Sequence, residues 1–256
     1  MSNIRVEIAA PVATIWIDRP EKRNAMSYEM WQALGEAAVL ADADPEVRVV
    51  VLRGRGEHFC AGADITELQV PREPSFIDVN MAAENALAAV RKPTIALVLG
   101  DCIGGGCALA VDCDLRIAAT SARFAITPAK LGIVYPPASV ERLTRLVGLA
   151  AAKLLLFSGD IIDAHRALRI GLVDEVDSPS GAEARVGDLA ATLASRSLLT
   201  QAASKAMVAE VAARGAVDAA TAAHWNEQLA SSGDPEEGIA AFNERRAPHF
   251  RWQPDG

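Results

Sequence analysis

Gly54-Arg55-Gly56-Glu57-His58-Phe59-Cys60-Ala61-Gly62-Ala63-Asp64-Ile65 follows directly on the run Val47 to Arg53. That run is dense enough in valine to read as a strand buried on both faces, as in a parallel sheet. The glycines and alanines after it form a strand exit where small side chains let a ligand approach the backbone. Upstream, Ile4 to Ile8 and Val12 to Ile17 read as a hairpin, and Arg19 to Asn24 as a charged turn. Ser27 is placed to cap a helix whose Met30, Leu34, Ala37 and Ala41 share one face. Downstream come a proline-bearing loop over Val70 to Pro74, a helix over Phe76 to Val90, and buried strands over Thr94 to Leu99, Asp114 to Ala119 and Arg123 to Ala125. The recurring strand, helix, strand order predicts an α/β fold of stacked units wound in one sense.

Beyond Ser139 the chain turns rich in alanine and leucine, and helices are expected over Ser139 to Val147, Ala150 to Ser158, Ala164 to Ile170, Ala182 to Ser195, Leu198 to Arg214, Val217 to Ala230 and Pro235 to Arg245. Ser178-Pro179-Ser180-Gly181 is the best candidate for a boundary within the chain. At 256 residues, 51% of them apolar, the chain has enough material for a sizeable core. The formal charge of −8 argues against a nucleic-acid partner or an anionic membrane surface. The cysteines, Cys60, Cys102, Cys107 and Cys113, contain no CxxC pair and are expected to be buried free thiols in a reducing compartment. With no evident export signal and no apolar run of membrane-spanning length, a cytoplasmic location is the expectation.

A second informative stretch is Gly104-Gly105-Gly106-Cys107-Ala108-Leu109-Ala110, in which glycines open a short apolar helix and leave its first N–H groups unshielded. Taken in order with Arg19-Pro20, Asn24-Ala25, the Gly54 to Ile65 stretch, and Glu237 to Phe242 followed by Arg245 to Pro248, it makes residues 4 to 250 resemble the enoyl-CoA hydratase/isomerase (crotonase) superfamily. The resemblance implies a crotonase-like stacked ββα superhelix over residues 1–195, with a helical oligomerisation region over residues 196–256 that builds trimers or hexamers. It implies an acyl-CoA substrate, with coenzyme A as part of that substrate and no separate cofactor. Two backbone N–H groups, at Ala63 and Gly105, would form an oxyanion hole for the thioester oxygen of an enolate. Each such donor is worth ~100-fold or more in rate. The coenzyme A moiety would run along Cys60, Ala61, Gly62, Ala63, Asp64 and Ile65, with Lys22 and Arg23 supplying local positive charge.

The chain departs from the family at the residues that handle water and protons. Hydratases of the family carry one glutamate two residues after the third glycine and another directly after the next motif's proline, and these positions hold Ala108 and Ala129. Alanine neither orients water nor takes a proton. The loop Thr127-Pro128-Ala129-Lys130-Leu131-Gly132-Ile133-Val134-Tyr135 resembles that of methylmalonyl-CoA decarboxylases, which implies hydroxyl roles for Thr127 and Tyr135. Decarboxylation needs no enzymic base, so a neutral space at Ala108 and Ala129 makes it the leading expectation. Hydration or isomerisation with a displaced acid comes second, the acid being Asp101, Asp112, Glu141 or a neighbouring subunit's. A binding subunit without activity comes third. His58 reads as exposed, and Asp64 as a residue that holds its loop.

Overall fold

The computed structural model describes residues 3–254. Its strands are β1 (Ile4–Ala9), β2 (Val12–Ile17), β3 (Val49–Gly54), β4 (Thr94–Val98), β5 (Asp101–Ile103), β6 (Leu115–Ala119), β7 (Arg123–Ala125), β8 (Ile162–Asp163) and β9 (Glu175–Asp177). Its helices are α1 (Tyr28–Ala43), α2 (Phe76–Ala88), α3 (Gly105–Asp112), α4 (Pro128–Leu131), α5 (Pro137–Ser158), α6 (Ala164–Arg169), α7 (Pro179–Ala194), α8 (Leu198–Arg214), α9 (Ala219–Ser232) and α10 (Asp234–Glu244). Strands β1-β2-β3-β4-β6-β9 form one sheet, antiparallel at β1–β2 and parallel elsewhere. Strands β5-β7-β8 form a second, smaller sheet.

The valine run of β3 behaves as its composition requires. Val50 and Leu52 join the core with Trp31 and Leu34 of α1 and Val79 and Leu87 of α2. Val49 and Val51 join the opposite core with Ile95, Leu97, Ile117 and the Ala182, Val186, Ala190 face of α7. Alternation at period two thus sends successive valines into two different cores, each fully buried side chain contributing about 1.5–3 kcal/mol.

That second core corrects the expected boundary at Ser178 to Gly181. Ser178 is an N-cap whose hydroxyl accepts from Gly181 N, and Pro179 occupies the first helical turn, where a missing N–H costs nothing. The segment opens α7, which covers one face of the main sheet, and so it links nothing to anything separate. The two helices expected over 139–158 are present as the two halves of α5, which meet at a kink at Gly148, whose φ of 76° is non-helical. Strands β5, β8 and β9, of three, two and three residues, are too short to show a periodicity. Ser27 caps α1, and Met30, Leu34, Ala37 and Ala41 are all buried, as the spacing predicts. All four cysteines are free and buried.

The C-terminal helices are thinly attached. Helix α8 buries Leu198, Leu199 and Ala202, while α9 buries none of its residues. Val208, Val211, Leu229, Ile239 and Phe242 are exposed along this region. Among the described residues no helix is long and apolar enough to cross a membrane.

Candidate active site

Three backbone segments meet where β3 and β4 end. Ala61 N donates to Arg23 O at 3.0 Å, Met26 N donates to Gly62 O at 2.8 Å, and Asp64 N donates to Met26 O at 2.8 Å. Cys60 N donates to Asp101 O and Ile103 N donates back to Cys60 O, each at 2.9 Å. The loop after β3 is thereby laced between the 23–26 segment and β5, with Met26 and Ala63 in a parallel bridge. Asn24, fully buried, completes the clamp through Nδ2, which donates to His58 O at 2.6 Å and Arg55 O at 3.0 Å.

This lacing brings Ala63 and Gly105 side by side in one cavity lining. Ala63 N lies between bonded neighbours and has no acceptor of its own among the described residues, while Gly105 is the first residue of α3, where no intrahelical acceptor exists. A Cβ placed on Gly105 would stand 3.8 Å from Ala63 N, so the helix start and the loop are close neighbours. Gly62 must be glycine: its φ is +92°, and a Cβ there would fall 2.6 Å from Ile103 O and 3.3 Å from Gly105 N. At Gly106 a Cβ would stand 2.3 Å from Cys60 O, so the helix start could not approach the loop. The positive end of α3 reinforces both donors.

The donors open into a cavity of about 130 Å³, roughly four waters' worth. Ala61, Gly62, Ala63, Ile65, Gly104, Gly105, Thr127 and Tyr135 line it, together with Leu68, Phe76, Ile77, Asn80, Leu131, Ile133 and Val134. No charged side chain is among the lining residues. The site can therefore stabilise a developing oxyanion inside a largely apolar pocket, where such donors act at low dielectric.

The structure brings together Ala61, Gly62, Ala63, Ile65, Gly105, Thr127 and Tyr135 from the sequence-derived set. Lys22 and Arg23 are exposed on the turn that backs the loop, and the Arg23 guanidinium reaches Asp101 at 3.3 Å. Cys60 and Asp64 serve the loop from behind. Burial pushes the Cys60 thiol up to about 12. The Thr66 hydroxyl and N–H and the Arg19 guanidinium hold the Asp64 carboxyl below its usual range. Ala108 is buried at 5% exposure, Ala129 is exposed on α4, and neither lines the cavity. The expected neutral space at those two positions is thus not part of the pocket wall.

Tyr135 donates only a long hydrogen bond, 3.4 Å to Gly104 O. Burial, followed by the carboxylate of Glu84, pushes its phenol well above the usual range, which makes it a poor source of protons. Of the acids considered from sequence, Asp101 is tied to Arg123 at 2.5 Å and to Arg23, with His58 Nδ1 accepting from its N–H at 3.0 Å. His58 is half-buried rather than exposed. Glu141 is an exposed helix residue paired with Arg145. Asp112 is buried, with Oδ1 bonded to Arg142 at 3.1 Å and Oδ2 without a partner among the described residues.

The sequence reading missed Glu84 and Asn80. Glu84, 2% exposed, accepts from Asn80 Nδ2 at 3.0 Å and from Ser139 Oγ at 2.6 Å. Burial pushes its carboxyl up, as it does that of Asp112 nearby. A signal was present: Glu84 lies on the helical face of Phe76, Asn80 and Leu87, a stripe where an acid is out of place unless it has partners.

The enoyl-CoA hydratase/isomerase family model matches residues 7–253. The crotonyl-CoA hydratase of Syntrophomonas wolfei is 34% identical over 254 residues, covering 97% of each chain. The (E)-benzylidenesuccinyl-CoA hydratase of Thauera aromatica is 33% identical over 97% of this chain and 98% of its own. A crystal structure of an enoyl-CoA hydratase/isomerase family member superposes with a TM-score of 0.91 at 39% identity, covering 100% of this chain and 98% of that one.

Proposed function

The chain belongs to the enoyl-CoA hydratase/isomerase family, and from that premise we propose that it hydrates the double bond of an enoyl-CoA thioester, with the family's two glutamates replaced by groups elsewhere in the pocket. The observation that supports this reading is that Ala63 and Gly105, close neighbours, both line one largely apolar cavity. Addition of water at Cβ drives electrons onto the thioester oxygen, and two fixed N–H donors hold that charge without reorganising. The relatives named as hydratases support hydration over the decarboxylation that the loop alone suggested. The cavity's size suits a short acyl chain, with the coenzyme A moiety along Ala61 to Ile65 and near Lys22 and Arg23. Exposed Val208, Val211 and Phe242 then meet further copies of the chain in a trimer or hexamer.

A second reading, loss of carbon dioxide from an α-carboxylated acyl-CoA, keeps one observation in its favour: no charged side chain lines the cavity to repel a carboxylate. One experiment separates the two. Incubated with crotonyl-CoA and with methylmalonyl-CoA in parallel, the protein is expected to form a 3-hydroxyacyl-CoA from the first and leave the second intact. Carbon dioxide release without hydration would overturn the hydratase reading.

A further inference from the structure

We propose that Asn80 holds the attacking water in this pocket, and that Glu84 is the positioning residue that turns its amide. The proposal rests on the hydratase reading. Of the side chains lining the cavity, only Asn80, Thr127 and Tyr135 can hydrogen-bond through oxygen or nitrogen. Tyr135 directs its hydroxyl at Gly104 O. Asn80 is the member of this set whose orientation is set by a buried carboxyl group.

The orientation follows from what Glu84 can offer. Asn80 Nδ2 donates to Glu84 Oε1 at 3.0 Å, one turn along α2, and Glu84 Oε2 is held by Ser139 Oγ of α5 at 2.6 Å. An ionised carboxylate only accepts, so it fixes the amide with nitrogen toward Glu84 and leaves Oδ1 without a bond to the described residues. A proton on Glu84 is accommodated at Oε2, because the Ser139 hydroxyl accepts as readily as it donates, and Oε1 stays an acceptor in either state. Arg142, bonded to Asp112 and to Asn85 Oδ1 at 2.6 Å, closes the cluster on its far side. The first turns of α2, with Phe76, Ile77 and Asn80, therefore present one fixed acceptor within an otherwise apolar stretch of wall.

A water that donates one hydrogen to Asn80 Oδ1 has a lone pair free for Cβ. Its oxygen bonds to Cβ, the Cα–Cβ π pair moves into the enolate whose oxygen accepts from Ala63 N and Gly105 N, and one proton of the same water ends on Cα. Asn80 gains and loses no proton, so an amide suffices where the family uses an acid, at the cost of a slower reaction.

The test compares wild type with Asn80→Ala, Glu84→Gln and the double variant, measuring crotonyl-CoA hydration, butyryl-CoA binding and Tm. Glu84→Gln is informative because Ser139 can keep its bond to the glutamine oxygen, and the new NH₂ then attracts Asn80 Oδ1 and turns its donor side into the pocket. Each single variant is expected to lose roughly 10-fold to 100-fold in kcat, with KM and butyryl-CoA affinity within about threefold, and the double variant to be no slower than Asn80→Ala. Undiminished kcat in Asn80→Ala overturns the proposal while wild-type hydration leaves the hydratase reading standing. So does a Glu84→Gln effect that persists undiminished in the Asn80→Ala background, which shows that Glu84 acts elsewhere. Wild type that binds butyryl-CoA and does not hydrate any enoyl-CoA overturns the hydratase reading itself, and this inference with it.

Discussion

The two sides of the pocket are built from different materials. On one side the donors of Ala63 and Gly105 are main chain, and their placement depends on residues that have no side chain to lose: Gly62, with φ +92°, and Gly106, packed on Cys60 O. On the other side, hydrogen-bonding capacity comes from side chains: Asn80 of α2, backed by Glu84, stands in the wall with Thr127 and Tyr135, while Ala108 and Ala129 lie outside it. A backbone-built half is tied to local chain geometry and stays where it is. A side-chain-built half can move from one helix to another as long as the new group faces the same cavity.

Gly62→Ala attacks the backbone half and should have the largest effect. The added methyl meets Ile103 O at 2.6 Å in a left-handed conformation and displaces Gly105 N, so hydration is expected to fall by roughly 100-fold or more. A steady-state assay would show this, and a loss below tenfold would mean that the donors are not converged in the working enzyme. Arg142→Met attacks the other half through stability. It removes the only bonded partner of the Asp112 carboxylate among the described residues, a side chain 1% exposed, at about 3 kcal/mol, or a Tm lower by roughly 5–10 °C. An unchanged melting curve would show that Asp112 is already neutral.

The same cluster predicts a pH dependence. Burial raises the folded-state values of Glu84 and Asp112 above their ordinary 4.5 and 3.8, so in the window that opens above those values the unfolded chain releases protons that the folded chain keeps. Their contribution to stability is therefore full at low pH and lost as pH rises through the folded-state values. Glu84→Gln should flatten the fall of Tm with rising pH, and an identical slope in wild type and variant would place the carboxyl in water. Tyr135→Phe should do least. Its hydroxyl makes one bond of 3.4 Å and its phenol is pushed up, so kcat is expected to stay within about threefold.

What could be read from the sequence divides along the same line as the pocket. Val47 to Arg53 announces a strand covered on both sides, and the glycines at 62 and 104–106 announce the close approach of loop and helix start, because each of these is a local requirement of backbone sterics. Ala108 and Ala129 announce only that something is missing. The replacement proposed at Asn80 and Glu84 depends on α2 packing on α3 and on Ser139 of α5 arriving alongside, contacts between elements far apart in the chain. Ser178 to Gly181 misled for a related reason: serine, proline and glycine mark a helix start as well as a linker, and only the packing of α7 on the sheet distinguishes them.

The lacing of the loop onto Met26 and Asp101 gives the site a signature in the rate at which its amides trade hydrogen for deuterium. Ala61 N and Asp64 N are engaged at 3.0 and 2.8 Å, and Ala63 N between them is not. Fast labelling should therefore be confined to Ala63 within residues 61–64 of one ordered loop, because protection there reports the bond and not the mobility of the chain. An acyl thioester seated in the pocket should slow Ala63 and Gly105 and leave Ala61 and Asp64 as they were, so that the occupied site is read from two labels against an unmoving background.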